Sequence, residues 1–154
     1  RFVVSLLYSS GIRVSELTQL KRDSIVDGQF TVIGKGKKVR LCFVDRRTEI
    51  LMRRYMATRH DNSDYLVVSH IFGDKVNKST IELIVKNTAV RAGLTKNVTP
   101  HILRHSFATN FIRNNGNIRY LSTMLGHASM DTTSIYSHVV DNDLRSQYMK
   151  FHTI

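Results

Sequence analysis

The chain holds a single proline, and its position constrains the fold more than any other residue. It follows Thr99, so Thr99-Pro100 reads as an N-cap with proline at the first helical position, where a missing N–H leaves no bond unmade. The helix opened there is predicted to reach about Asn115, with Gly116 as its stop and Leu103, Phe107 and Phe111 on its buried face. Asn117 to Leu125 forms a shorter helix ended by Gly126. Ser129 or Asp131 caps a further helix that carries Tyr136, and Asn142 to Lys150 makes one more.

The first half reads differently. Phe2 to Tyr8 is a buried helix ending near Gly11, followed by one or two helical turns over Arg13 to Leu20. Phe30 to Ile33 and Val39 to Val44 are β-rich, and Gly34-Lys35-Gly36-Lys37 between them is a hairpin turn. Asp27-Gly28 is a second turn signal. Thr48 to Arg59 is helical and Tyr65 to Val68 a short strand. Ser79 to Glu82 has capping-box spacing, with Ile81, Ile84, Val85 and Ala89 behind it and Gly93 as a stop. The fold class is therefore mostly α with a small antiparallel β-sheet, an α+β domain.

Charge narrows the function. The 154 residues carry 23 Lys and Arg against 12 Asp and Glu, a net +11, which calls for a polyanionic partner. Nucleic acid is the first choice; no basic amphipathic helix dominates to favour a membrane, and no stretch is long enough to span one. The lone cysteine, Cys42, lies in an apolar run and reads as a small buried hydrophobe in a reducing, cytoplasmic setting. No set of Cys, His and carboxylates has metal-ligand spacing. The chain opens without methionine on an apolar segment, so it reads as a fragment with an N-terminal part missing.

Within that frame a few side chains carry chemistry. His101 and Arg104 lie three apart on the first turn of the Pro100 helix, where the helix N-terminus adds partial positive charge. His105, four from His101, reads as a buried, hydrogen-bonded support. Arg13 opens a helix with Glu16 three residues on, close enough to pair and fix its direction. Lys35 sits between glycines at a hairpin tip, but Lys37 and Lys38 are equally basic, and spacing does not choose among them. His127 follows Leu-Gly at an inter-helix corner, and Tyr136 lies nine residues further. Two arginines, two histidines and a phenol form a kit for a phosphodiester: the arginines hold non-bridging oxygens, the histidines handle protons and charge, and the phenol attacks.

These pieces together resemble the catalytic domain of the tyrosine recombinase, or phage integrase, family, and its compact Xer-type members most of all. The likeness runs through Gly-Ile-Arg-Val-Ser-Glu-Leu, Val-Ile-Gly-Lys-Gly-Lys-Lys-Val-Arg, Thr-Pro-His-Ile-Leu-Arg-His-Ser-Phe-Ala-Thr, Leu-Gly-His-Ala-Ser and Thr-Thr-Ser-Ile-Tyr-Ser-His-Val. The resemblance implies that Arg13 and Arg104 clamp the scissile phosphate, that His101 and His127 complete the pocket, and that Tyr136 is the nucleophile. It matches Lys35 to the family's catalytic lysine, with Lys37 and Lys38 left to touch DNA phosphates and Glu16 and His105 to support the site.

The implied activity is site-specific cutting and rejoining of DNA through a 3′-phosphotyrosine, without ATP, metal or cofactor. The implied partners are double-stranded DNA and a homo- or hetero-tetramer on paired sites, the isolated fragment being monomeric and the whole protein nucleoid-associated. The chain then corresponds to the C-terminal catalytic domain, without its N-terminal DNA-clamping domain. The tail helix is expected to dock on a neighbouring protomer through Leu144, Tyr148 and Met149, with folding back on its own domain as the alternative. Type IB topoisomerase-like relaxation and a non-catalytic DNA-binding regulator on the same scaffold are the rival readings.

Overall fold

The computed structural model describes residues 1–69, 73–126 and 137–152, apart from the side chains of Lys35 and of residues 137–142. The first helix, α1 (Phe2–Ser10), ends at Gly11, which adopts φ 61° and sends its N–H to the Leu7 carbonyl at 3.1 Å. Glycine is required there twice over. The φ is left-handed, and a Cβ would fall 2.7 Å from the Phe107 ring. The chain reverses at once into α2 (Val14–Leu17), a single turn.

Strands β1 (Gln29–Ile33) and β2 (Val39–Phe43) pair antiparallel, with Val32 opposite Arg40 and Phe30 opposite Cys42. Between them Lys35–Lys37 makes one tight helical turn, with Gly36 at φ 75° and Lys37 at φ 58°. The Gly34 N–H donates to the Lys38 carbonyl at 2.8 Å and closes the loop. After the sheet come α3 (Arg46–Ala57), α4 (Lys78–Arg91), α5 (Pro100–Arg113), α6 (Ile118–Leu125) and α7 (Ser137–Phe151). The expected helical class with a small antiparallel sheet is what the chain adopts.

Two apolar clusters hold these elements together. Leu6, Leu7, Ile12, Leu17, Ile81 and Val85 centre the first, under α1, α2 and α4. Phe43, Phe107, Phe111, Leu125, Leu144 and Tyr148 centre the second, where β2, α5, α6 and α7 meet. Leu144 and Tyr148 are thus buried in their own domain, the folded-back arrangement given above as the alternative, while Met149, 65% exposed, faces outward. The reason is the second cluster itself. Phe43 and Phe107 stack against the Tyr148 ring at 5.4 and 6.4 Å, a ready apolar seat within the same chain.

Strong local signals bound the helices as expected. Thr99 caps α5 by accepting from the Ile102 N–H at 3.3 Å, with Pro100 next in line. Asn117 and Gly126 bound α6, and Cys42 is buried. Four expectations change. Tyr65–Val68 makes isolated bridges, Lys21 to Tyr65 and Val68 to Lys75, and among the described residues no strand runs alongside to extend a ladder.

The cap of α4 is Asn77, whose side chain accepts from the Thr80 N–H at 2.8 Å; Ser79 already lies inside the helix. At the end of α5, Asn115 takes the left-handed φ of 64°. Gly116 is needed for a different reason, since a Cβ there would fall 2.2 Å from the Phe111 ring. Helix α7 also begins earlier than expected, at Ser137. The Ser129 or Asp131 cap and the part of the chain bearing Tyr136 lie outside the described residues. Among the described residues no helix is long and apolar enough to cross a membrane.

Candidate active site

The turn at Gly11 brings Arg13 to the start of α2 in an extended conformation, φ −79° and ψ 152°. Its backbone N–H donates to Glu16 Oε2 at 2.7 Å, and its Nη1 donates to Glu16 Oε1 at 3.2 Å. The guanidinium remains 42% exposed. The expected Arg13–Glu16 pairing is present. It is loose at the side chain and tight at the backbone.

Arg104 is held more rigidly. It is buried on the inner side of α5, donates from Nη1 to the Gly11 carbonyl, and from Nη2 to the Leu125 carbonyl at 2.6 Å. Both acceptors are carbonyls at helix ends, where the backbone dipole is negative. Burial, reinforced by the neighbouring charges of Arg13 and Arg40, pulls the Arg104 guanidinium down to about 10, which leaves it charged at neutral pH.

One participant has no role in the sequence reading. Arg40, in β2, is buried and donates from Nη1 and Nη2 to the two oxygens of Glu16 at 2.6 and 2.7 Å. Its Nε donates to the Met124 carbonyl at 2.8 Å. Burial alone raises the Glu16 carboxyl; the hydrogen bonds from Arg40 and Arg13 overcome it and hold the group below its usual range. A signal for Arg40 existed in the sequence. It shares the inward phase of β2 with Cys42, opposite Val32, and a charge on a buried strand face requires a partner.

Arg13, His101 and Arg104 line one cavity of about 630 Å³, with Glu82 and Lys86 of α4 on its far side. His101 is exposed at its rim on the first turn of α5, as its spacing from Arg104 predicts. His105 differs from expectation. It is exposed rather than buried, because the next turn of α5 turns that position to solvent. Lys37 and Lys38 are exposed on the hairpin loop beside Lys35. The Lys35 side chain, His127 and Tyr136 lie outside the described residues. Gly126, the residue before His127, is described: it caps α6 at φ 65°, and a Cβ there would fall 2.9 Å from Arg40 Cδ.

Two arginines on one carboxylate and a third pinned by two backbone carbonyls, beside a helix N-terminus and an open cavity, define a site for an anion. The chain belongs to the phage integrase family, whose profile matches residues 1–143. It is 35% identical over 159 residues to the tyrosine recombinase XerD of Staphylococcus saprophyticus, covering 99% of this chain and 54% of that protein. It is 39% identical over 155 residues to the tyrosine recombinase XerA of Pyrococcus horikoshii, covering 97% of this chain and 54% of that one.

The chain thus spans about half the length of the curated relatives it matches. The crystal structure of a XerA recombinase superposes with a TM-score of 0.77 at 36% identity, over 99% of this chain and 58% of that one. A XerH site-specific recombinase, solved bound to its palindromic difH substrate after cleavage, matches with a TM-score of 0.68 at 28% identity, over 95% of this chain and 44% of that one.

Proposed function

We propose that this chain is the C-terminal catalytic domain of a site-specific tyrosine recombinase, acting on double-stranded DNA alongside an N-terminal DNA-clamping domain. The observation that carries the reading is the geometry of Arg104, a charged guanidinium pinned by two carbonyls in the wall of a cavity shared with Arg13 and His101. XerH, solved with its DNA substrate, and the XerD and XerA relatives support it.

The chemistry follows from the charges. The Tyr136 oxygen attacks the scissile phosphorus, and its phenolic proton is lost in the process. Negative charge gathers on the non-bridging oxygens, where Arg13 and Arg104 hold it with paired hydrogen bonds. His101 and His127 complete this pocket, His101 as the group exchanging the proton of the phenol. The bond to the 5′-oxygen breaks, and Lys35 gives that oxygen its proton.

The products are a 3′-phosphotyrosine and a free 5′-hydroxyl, so the energy of the phosphodiester is retained. A 5′-hydroxyl from a partner strand then attacks the phosphotyrosine and releases the phenol. Lys37 and Lys38 touch DNA phosphates beside the cleaved bond, while Glu16 sets the direction of Arg13. The assembly is a homo- or hetero-tetramer on paired sites, with the isolated chain monomeric, at work on the nucleoid in the cytoplasm.

Trapping on a nicked suicide substrate tests this. Wild-type protein is expected to leave a covalent protein–DNA band after denaturation, undiminished in EDTA because the arginines neutralise the phosphate. Tyr136→Phe is expected to bind DNA and leave no band. A band that persists in Tyr136→Phe removes the nucleophile assignment and turns attention to Tyr120, which is only half-buried.

A further inference from the structure

Arg13 and Arg40 share one carboxylate, and they share it unequally. Arg40 takes both oxygens of Glu16, at 2.6 and 2.7 Å, from a buried position. Arg13 makes one side-chain bond at 3.2 Å and remains largely open to the cavity. A bidentate fork takes one in-plane lone pair of each carboxylate oxygen and leaves one on each. Glu16 therefore retains its bond to the Arg13 backbone N–H while its hold on the Arg13 guanidinium is weak.

The other contacts of Arg40 reach the rest of the site. Its Nε holds the Met124 carbonyl while Arg104 holds the next carbonyl, Leu125. Two guanidiniums thus fix two successive carbonyls at the end of α6, directly ahead of Gly126 and His127. A Cβ at Gly34, the residue before Lys35, would stand 3.5 Å from Arg40 Nη1. One side chain spans the root of the lysine loop, the start of α2 and the end of α6.

We infer that Arg40 is a positioning residue for DNA cleavage: by taking the shorter bonds to both Glu16 oxygens it leaves the Arg13 guanidinium to the scissile phosphate, and by holding Met124 it registers the end of α6 against Arg104. The inference rests on the recombinase reading above. Without Arg40, the Glu16 carboxylate turns its full charge on Arg13, and the guanidinium that should meet the phosphate is tied to a carboxylate instead.

The experiment compares wild type, Arg40→Lys and the double variant Arg40→Met/Glu16→Gln in single-turnover cleavage of a suicide substrate. DNA affinity and melting temperature are measured beside it. Lysine keeps the charge but cannot make all three bonds. Arg40→Lys is expected to stay folded and bind DNA within about twofold of wild type, yet to cleave about 10²-fold more slowly, the scale of a misplaced reacting group. Cleavage at the wild-type rate by folded Arg40→Lys overturns the inference.

Should Arg40→Lys fail to fold, the double variant removes the stranded charge and decides the matter. Its reference is Glu16→Gln alone, so that the loss of the carboxylate is common to both. Slower cleavage in the folded double variant than in Glu16→Gln upholds positioning by Arg40 through Met124, and equal rates make Arg40 merely structural and overturn it.

A DNA-free measurement separates this inference from the reading beneath it. Sulfate is titrated against the Arg13 Nε–H resonance in wild type and Arg40→Lys. If wild type forms no covalent band, the recombinase reading fails. Weaker sulfate binding in Arg40→Lys then still upholds the placement of Arg13 by Arg40. Equal binding in the two proteins, or none in either, overturns that placement.

Discussion

Two buried polar clusters join distant parts of this chain, and they are built to different standards. In the first, Arg40 binds both oxygens of Glu16 and the Met124 carbonyl while Arg104 binds the Gly11 and Leu125 carbonyls, all through short hydrogen bonds, with partners up to 93 residues away. In the second, His152 at the end of α7 faces Asp45, the cap of α3. The separation is 3.5 Å, an ion-pair distance at which Asp45 Oδ2 and both His152 ring nitrogens lack a hydrogen-bond partner among the described residues.

Buried polar groups contribute in proportion to how fully they are satisfied. The first cluster therefore behaves as a rigid frame, suited to holding charge in place while a phosphate reacts. The second holds α7 mainly through the rings around it, with His152 stacked on Tyr148 at 4.9 Å and beside Phe107 at 5.4 Å.

The contrast is most exposed to failure in truncation. Glu16→Ala strands the Arg40 guanidinium in the interior and is expected to destabilise the fold by about 3–5 kcal/mol in denaturant unfolding. Asp45→Ala removes one helix cap, the 2.6 Å bond from the Thr48 N–H, together with a weak ion pair; about 1 kcal/mol is expected. Equal losses at the two positions would mean that the second cluster is as well built as the first.

Acid sharpens the same comparison. Asp45 is also held below its usual range; burial opposes this, and the His152 and Thr48 contacts outweigh it. A carboxyl lowered on folding stabilises the native state fully above its unfolded pKa, about 4, and that contribution disappears as pH falls through the lower folded value. Melting temperature against pH should therefore drop on the acid side. Glu16→Gln and Asp45→Asn should each flatten part of that drop. A Glu16→Gln curve that parallels wild type would contradict an ionised Glu16 at the centre of the frame.

The two clusters also show what a sequence discloses. Thr99-Pro100, Asn117, Gly11 and Gly126 act on their immediate neighbours, so local rules found the helices they bound. The His101–Arg104 spacing was legible for the same reason. For Arg40 the strand alternation signals a buried charge that needs a partner but not which partner, because the partners lie 24 and 84 residues away and only the fold brings them to it. His105 was misplaced since one helical turn separates a cavity rim from solvent, and spacing does not reveal which side the neighbours cover. Gly116 was assigned a backbone role, whereas Phe111 leaves no space for a side chain there. Leu144 and Tyr148 left two arrangements open, since an apolar helix face does not state whose core it fills; within this chain they fill the second cluster.

The smallest chemical change tests the largest claim, that the arginines hold charge on the phosphate while a separate group supplies the proton. Replacing the 5′-bridging oxygen of the DNA with sulfur gives a leaving group that needs little protonation. On ordinary DNA, Lys35→Ala and Arg104→Ala are each expected to cleave at least about 10²-fold more slowly than wild type. On the sulfur substrate Lys35→Ala should recover most of its deficit and Arg104→Ala should not, with Lys37→Ala and Lys38→Ala close to wild type on both. Rescue of Arg104→Ala by sulfur, or of Lys37→Ala in place of Lys35→Ala, would contradict the account.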